Sequence, residues 1–445
     1  MDNILRNADP KAENISSDRA YWGWKTVNDD SVGIPNDVRA AYSFRKTRWV
    51  GVELVSPAYW ATPKNLGEVR RVIGGLSRKL RFVTPETSGL HVHVGRGKSS
   101  FSLAELKRLA GLCYAAGPLL SQLHPAHRRL NPYCKSNRFY SNVAYSLATE
   151  TAIARRELHR ATCNVGHKGG IPQEPLANPQ RLGEATKESA QRPADTPRFK
   201  RAIKRGGLPR EVLSQEEYID PYYPKHIREE IEKPSPPRAI DSAIDELWRA
   251  PTATDLVALF QDFEDRFYAY NFARYVCEDY VGNLDSVSSY FAGVRSRSSS
   301  DSSRPRSGST GSNGSVYGCG TVSANGQHEC NTSSRTVEFR QAASTLDPDS
   351  VVAWIRVVVN MTCVAVHTTH EEYARLVHCC VKAEREPEWY DAFDLLVDLD
   401  MPRTAQFIQN RMLSRATRTP WAALPPKALE RKKDEDNKEG AEKEG

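Results

Sequence analysis

Apolar and polar residues alternate along Gly89-Leu90-His91-Val92-His93-Val94-Gly95. A period of two puts Leu90, Val92 and Val94 on one face and His91 and His93 on the other, so a strand is expected there. Thr47 to Val55 reads as a second strand, ended by Ser56-Pro57, and Thr336 to Arg340 as a third. Elsewhere the period lengthens. From Pro63 through Leu80, the residues Leu66, Val69, Ile73 and Leu76 fall on one helical face. Ser102 with Glu105 three residues later is a capping-box pattern, so a helix starts there. Asp255 to Tyr270, rich in aromatics, and Asp347 to Val366 predict two further helices. Strands and helices alternate irregularly, which favours the α+β class.

Between these elements the pattern lapses. Val165 to Ile240 holds 11 of the 27 prolines, together with basic runs such as Lys200 to Arg205. It shows little helical or strand period, so a disordered insertion is expected over 165–240. Ser286 to Ser315 has 13 serines in 30 residues and reads as a flexible loop. Residues 1–20 are polar, and 422–445 form a Lys/Glu-rich tail. The organisation implied is a single domain over 21–421, interrupted by 165–240 and 286–315, with loose ends at 1–20 and 422–445.

Composition narrows the classes. Of 445 residues, 39% are hydrophobic and 26% charged, and the loose segments account for much of the polar excess. The most apolar long stretch, Val351 to Val366, carries Arg356, Asn360 and Thr362, short of the roughly 20 apolar residues a membrane span needs. Nine cysteines and a charged start without an apolar signal segment argue against a secreted disulfide scaffold. A cytoplasmic, reducing setting without a membrane is the expectation. Cys379-Cys380 and the pair Cys319 and Cys330 lack zinc-ribbon spacing and read as free thiols. The net charge of +7 gives no argument for nucleic acid, because the loose segments carry +4 of it and no aromatics interleave the basic runs.

The candidate chemistry lies on the strands. His91 and His93 share a face, as do Glu338 and Arg340, while Glu53 sits among apolar neighbours in Trp49-Val50-Gly51-Val52-Glu53-Leu54-Val55. Taken singly, each reads as structural: solvated histidines, or a carboxylate paired with an arginine. Glu338 and Arg340, as parallel neighbours on one strand, are expected to be poor partners for each other. Taken together they suggest more. Two imidazoles and two carboxylates suit a divalent cation, and an arginine forks onto phosphate.

These residues carry a resemblance. Gly51 to Pro57, Gly89 to Gly95, and Thr336 to Gln341 followed by Thr345-Leu346-Asp347 resemble the signature blocks of the amidoligase family abundant in filamentous fungi. Supporting blocks follow in the same order: Trp24 to Ser31, Leu123-His124-Pro125 through Arg128, Asn131 to Cys134, and Arg266 to Phe272. The resemblance covers about residues 22–165 and 240–380. The family is similar to carboxylate–amine ligases with a glutamine-synthetase-like fold. That implies a curved antiparallel sheet with flanking helices, ATP, and Mg2+ or Mn2+. It also implies small-molecule or peptide carboxylate and amine substrates joined through an acyl phosphate. By block position, Glu53, His91 and Glu338 are the implied metal ligands, and His93 and Arg340 the implied nucleotide contacts. Glu53, His93, Glu338 and Arg340 are the implied catalytic set. Arg128, Tyr133 and Asn271 are implied substrate contacts, although core packing is the plainer reading of Tyr133 and Tyr270.

One position departs from the fuller family pattern. Val55 stands where relatives carry a second acidic residue, so fewer metal ions are expected. Two other readings stay open: a non-catalytic member that binds a ligand or partner, and a metal-dependent hydrolase using His91 and His93 with Glu53. The imidazoles leave zinc open as well. Oligomeric state has no signature in the sequence.

Overall fold

The computed structural model describes residues 23–29, 32, 49–97, 99–129, 131, 133–144, 199–209, 237–261, 267–275 and 335–414. The expectations for residues 1–20, the Ser-rich stretch, the charged tail, Arg266, Cys319 and Cys330 lie outside these. Helices and small antiparallel sheets are mixed, as the α+β reading expects.

The first sheet is a pair. β1 (Lys25–Asn28) runs antiparallel to β2 (Val52–Val55), with Glu53 opposite Val27. Just before β2, a side chain on Gly51 would collide with the Asp29 carbonyl. After β2, helix α1 (Pro63–Lys79) is capped by the Thr62 hydroxyl and buries Leu66, Val69, Val72 and Leu76. The spacing predicted that face, with Val72 in place of the half-buried Ile73.

The second sheet has three strands in the order β3-β5-β4, where β3 is Gly89–Gly95, β4 Tyr270–Asn271 and β5 Thr336–Ala343, all antiparallel. β3 coincides with the alternating segment. β4 falls where the aromatic spacing predicts the end of a helix. That helix stops instead at Phe260. The cause is tertiary: the Asn137 amide accepts from Tyr270 N at 2.9 Å and donates to Tyr270 O at 3.0 Å, acting as a strand partner on the free side of β4.

The β3–β5 ladder contains a bulge. Leu90 faces Ala342 and Val92 faces Phe339, so His91 alone opposes both Arg340 and Gln341. Val337, Phe339 and Gln341 turn to the helical side, where the Gln341 side chain donates to Gly117 O and accepts from the Tyr270 hydroxyl.

On that side the core is helical. Helix α2 (Leu103–Ser121) starts at the predicted Ser102–Glu105 capping box and is buried almost all round. Two short helices follow, α3 (Ala126–Arg129) and α4 (Asn137–Tyr140), then α5 (Ile240–Arg249) and α6 (Ala253–Phe260). α7 (Pro348–His367) is capped by Asp347 and packs against α1, α2 and β3. Val351 to Val366 falls short of a membrane span in sequence, whereas the whole 20-residue helix is long and apolar enough by length and composition. Its Val352, Trp354, Val357, Val358 and Met361 are core residues. α8 (His370–Arg385), α9 (Ala392–Asp398) and α10 (Pro402–Leu413) complete the fold. Cys113, Cys134, Cys363, Cys379 and Cys380 are not in disulfides.

Part of the predicted disordered insertion is ordered. Residues 199–209 lie along α9 and α10, with Ile203 1% and Leu208 3% exposed. Arg201 forks onto Asp391 at 2.7 and 3.1 Å, and Arg205 onto Asp394 at 2.8 and 2.9 Å. The Gln409 amide accepts from Ala202 N and Ile203 N and donates to Lys200 O. The basic run is therefore a bound segment rather than a solvated linker. Two apolar anchors and three matched side chains offset the entropy of ordering it.

Candidate functional site

β3, β5 and β4 place His93, Glu338 and Asn271 side by side, since His93 and Asn271 are the register partners of Glu338 on its two flanks. The Glu338 carboxylate is the centre of the site. Arg340 Nη1 donates to its Oε1 at 2.7 Å, and Asn271 Nδ2 to its Oε2 at 3.1 Å. His91 Nδ1 and His93 Nε2 stand 3.5 and 3.6 Å from Oε1. Glu338 and Arg340 were expected to be poor partners. They are a close ion pair, because residues two apart on a strand share a face and the bulge follows directly after Arg340.

Burial disfavours the charge on Glu338, but the Arg340 guanidinium outweighs it, so its pKa lies below the usual carboxylate value. Desolvation pushes His91 down to about 3, with Arg340 and Arg128 adding to the effect. Desolvation lowers His93 too. His91 is therefore neutral at pH 7, and its contact with Glu338 is not an ion pair. A neutral imidazole keeps a lone pair for a ligand.

Glu53 approaches from the other sheet. Burial raises its pKa first, and the negative charges of Asp29 and Glu338 raise it further, although its side chain keeps contact with solvent. Arg340 partly offsets this. Two carboxylates that repel, one of them held above its ordinary pKa, are a donor set that a divalent cation would stabilise. Glu53, Glu338 and the neutral His91 thus fit such an ion by chemistry. Among the described residues, however, no group of three or more His, Cys, Asp or Glu side chains is placed to hold a metal ion.

The implied substrate contacts Asn271, Tyr133 and Arg128 each have partners within the protein. Asn271 orients Glu338, and its own Oδ1 accepts from Gln261 Nε2 at 3.1 Å and Ala273 N at 2.9 Å. Gln261, fully buried, also accepts from Phe272 N at 2.7 Å. Nothing in the sequence singled out Gln261; a polar residue closing an apolar helix ten positions before Asn271 is its only signal. Tyr133 packs edge-on against Phe267 at 5.3 Å, and Phe267 lies under the Arg340 guanidinium at 5.6 Å. Tyr270 is core, as the plainer reading has it. Arg128 is buried and donates to Arg340 O at 2.7 Å. Elsewhere, a shallow cleft of about 430 Å³ between residue 205 and α8–α9 is lined by Arg205, Arg375, Asp394 and Asp398, all engaged in ion pairs.

No curated protein and no solved structure matches the chain. Glu53, His91, His93, Arg128 and Tyr133 lie within the stretch covered by a family match; Asn271, Glu338 and Arg340 lie beyond it and reach the site through strand pairing. The matching family model is described as "Putative amidoligase enzyme", and it is to this family that the chain is similar over residues 6–156.

Proposed function

We propose that the protein is an ATP-dependent amidoligase that joins a carboxylate to an amine. The observation that carries the reading is Glu338, held by Arg340 and Asn271 beside two imidazoles and facing Glu53. The family match supports it over the half of the site on β2 and β3. A glutamine-synthetase-like curved sheet belongs to the same reading.

In this reading a substrate carboxylate oxygen attacks the γ-phosphorus of ATP and ADP leaves, giving an acyl phosphate. The amine then attacks the acyl carbon and phosphate leaves. Both early reactants are anionic, so the site must neutralise them. Arg340 holds its guanidinium beside Glu338 and offers its remaining N–H groups to the transferring phosphoryl group. Glu338 fixes Arg340 in place, and Asn271 with Gln261 fixes Glu338. His93, the more exposed imidazole, is the candidate nucleotide contact. A Mg2+ or Mn2+ ion held by Glu53, His91 and Glu338 would supply charge neutralisation when bound.

The test is nucleotide binding by purified protein with Mg2+. Wild type is expected to bind, and Glu338→Gln and Arg340→Ala to lose binding. Binding absent from the wild type, or untouched by both substitutions, rejects the reading. A second reading, a ligand-binding protein without turnover, is favoured by Val55 and by the occupation of Glu338 Oε1 by Arg340. Nucleotide binding without phosphate release across a panel of acids and amines would select it.

A further inference from the structure

The geometry points to Arg128 as the positioning residue of this site: it clamps the β5 bulge and thereby sets where Arg340 points. Arg128 lies on the four-residue helix α3 and is 1% exposed. A guanidinium so buried is costly unless a carboxylate meets it. Among the described residues its hydrogen bonds go to carbonyls instead: Nη2 to Arg340 O at 2.7 Å, and Nη1 to Ser88 O at 3.5 Å. Ser88 leads into β3 and Arg340 is one of the two bulged residues of β5. The group therefore bridges both strands where the ladder is irregular.

The surroundings are shaped to admit it. Gly89 stands where any side chain would sit 2.7 Å from Arg128 Nη2 and 3.2 Å from His91 Nε2. A larger residue at this position would push one of the two side chains aside. The Nε atoms of Arg128 and Arg340 are both buried without a hydrogen-bond partner among the described residues. Two under-satisfied guanidinium groups in adjacent positions are not how a core is optimised for stability. Retaining Arg128 makes sense when its task is to fix a carbonyl. Solvent does not reach it, so a substrate does not either. It acts through Arg340.

The functional part of this inference rests on the amidoligase reading; the structural part does not. Two measurements separate them. The first is backbone amide hydrogen exchange. In Arg128→Met, exchange in peptides covering 339–343 is expected to rise about tenfold, while α2 stays protected. The second is calorimetric binding of adenylyl imidodiphosphate with Mg2+. Arg128→Met should weaken binding by about 10- to 100-fold, as loss of an orienting partner does. In an Arg340→Lys background it should add almost nothing, because the two act as one unit. Should Arg128→Met not fold, Arg128→Lys retains the charge and one carbonyl contact, and is expected to sit between wild type and Met in exchange.

Unchanged exchange at 339–343 in both variants overturns the clamp. So does a full, additive binding loss on top of Arg340→Lys, which would mean that Arg128 touches the ligand itself. A wild type that binds no nucleotide removes the amidoligase reading and leaves the exchange result to decide the clamp alone.

Discussion

Arginines meet carboxylates in two regions of this molecule, on different terms. Along the bound segment 199–209, Arg201 and Arg205 fork onto Asp391 and Asp394 with matched partners. Asp391 also caps α9, accepting from Phe393 N and Asp394 N. In the β3–β5–β4 site, one buried carboxylate serves Arg340, Asn271 and two imidazoles, while Arg128 has only carbonyls. The first arrangement is saturated and resembles a staple. The second leaves part of the Arg340 guanidinium without an acceptor among the described residues, as a site awaiting an anion would. Pairing that is complete holds a structure together, and pairing left incomplete marks a place where a ligand contributes the missing partner.

The comparison can be broken by experiment. The largest effect is expected from Arg340→Ala. If the amidoligase reading holds, turnover should fall by about 100- to 1000-fold, the scale of losing a donor to developing charge. The melting temperature should fall by less than in the Arg201 variant below, since Asn271 still donates to the Glu338 carboxylate left behind. An equal loss of stability would mean that the site is a staple too. Next comes Arg201→Ala, which strands the 1%-exposed Asp391. About 3 kcal/mol of stability should be lost, the lower end for breaking a buried pair, or about 6–12 °C in melting temperature. Nucleotide affinity should stay unchanged; a parallel fall would show that segment and site are coupled.

Acid should separate the regions further. His124, fully buried against Trp354 at 4.6 Å, is pushed down to about 3 by desolvation, with Arg128, Arg129 and His127 adding to it. Its folded pKa lies below the unfolded value. The unfolded chain therefore takes up the proton first, and stability falls as pH drops from about 6.5 towards 3. Asp394 is also lowered, Arg205 and Arg201 outweighing its burial. Its contribution is present above about pH 4 and is lost only below that. Unfolding midpoints between pH 7 and 4 should slope downward, and His124→Phe should flatten the slope. An unchanged slope would refute the assignment. The smallest effect is Arg205→Ala, whose side chain is half-exposed: under about 1 kcal/mol by denaturant titration.

What could be read from the sequence follows from how local each signal is. β3 and the Ser102 cap were legible because period and cap are written within seven residues. Four of the five strand residues singled out, His91, His93, Glu338 and Arg340, do meet around one carboxylate, with Glu53 coupled to them across the gap between sheets. The bound segment was not legible. Its partners Asp391, Asp394 and Gln409 lie about 190–210 residues downstream, and Ile203 and Leu208 are too few to set a period. β4 was missed because Tyr270 and Asn271 are extended only by virtue of Asn137 and β5. The roles of Gln261 and Arg128 are similarly a matter of folded geometry.

The β5 bulge has a consequence for how the chain tolerates change in length. Up to Gln341 the odd-numbered residues of β5 face the core; beyond it the even-numbered Ala342 does. Deleting Gln341 would restore one-to-one pairing without reassigning either face, at the cost of its bonds to Gly117 O and the Tyr270 hydroxyl. His91 would then stand directly across from Arg340, their Cβ atoms about 5 Å apart. The extra residue works as a spacer that keeps an imidazole and a guanidinium out of register. Losing it would crowd the site, so the length of this strand matters to the site as well as the identities of Glu338 and Arg340.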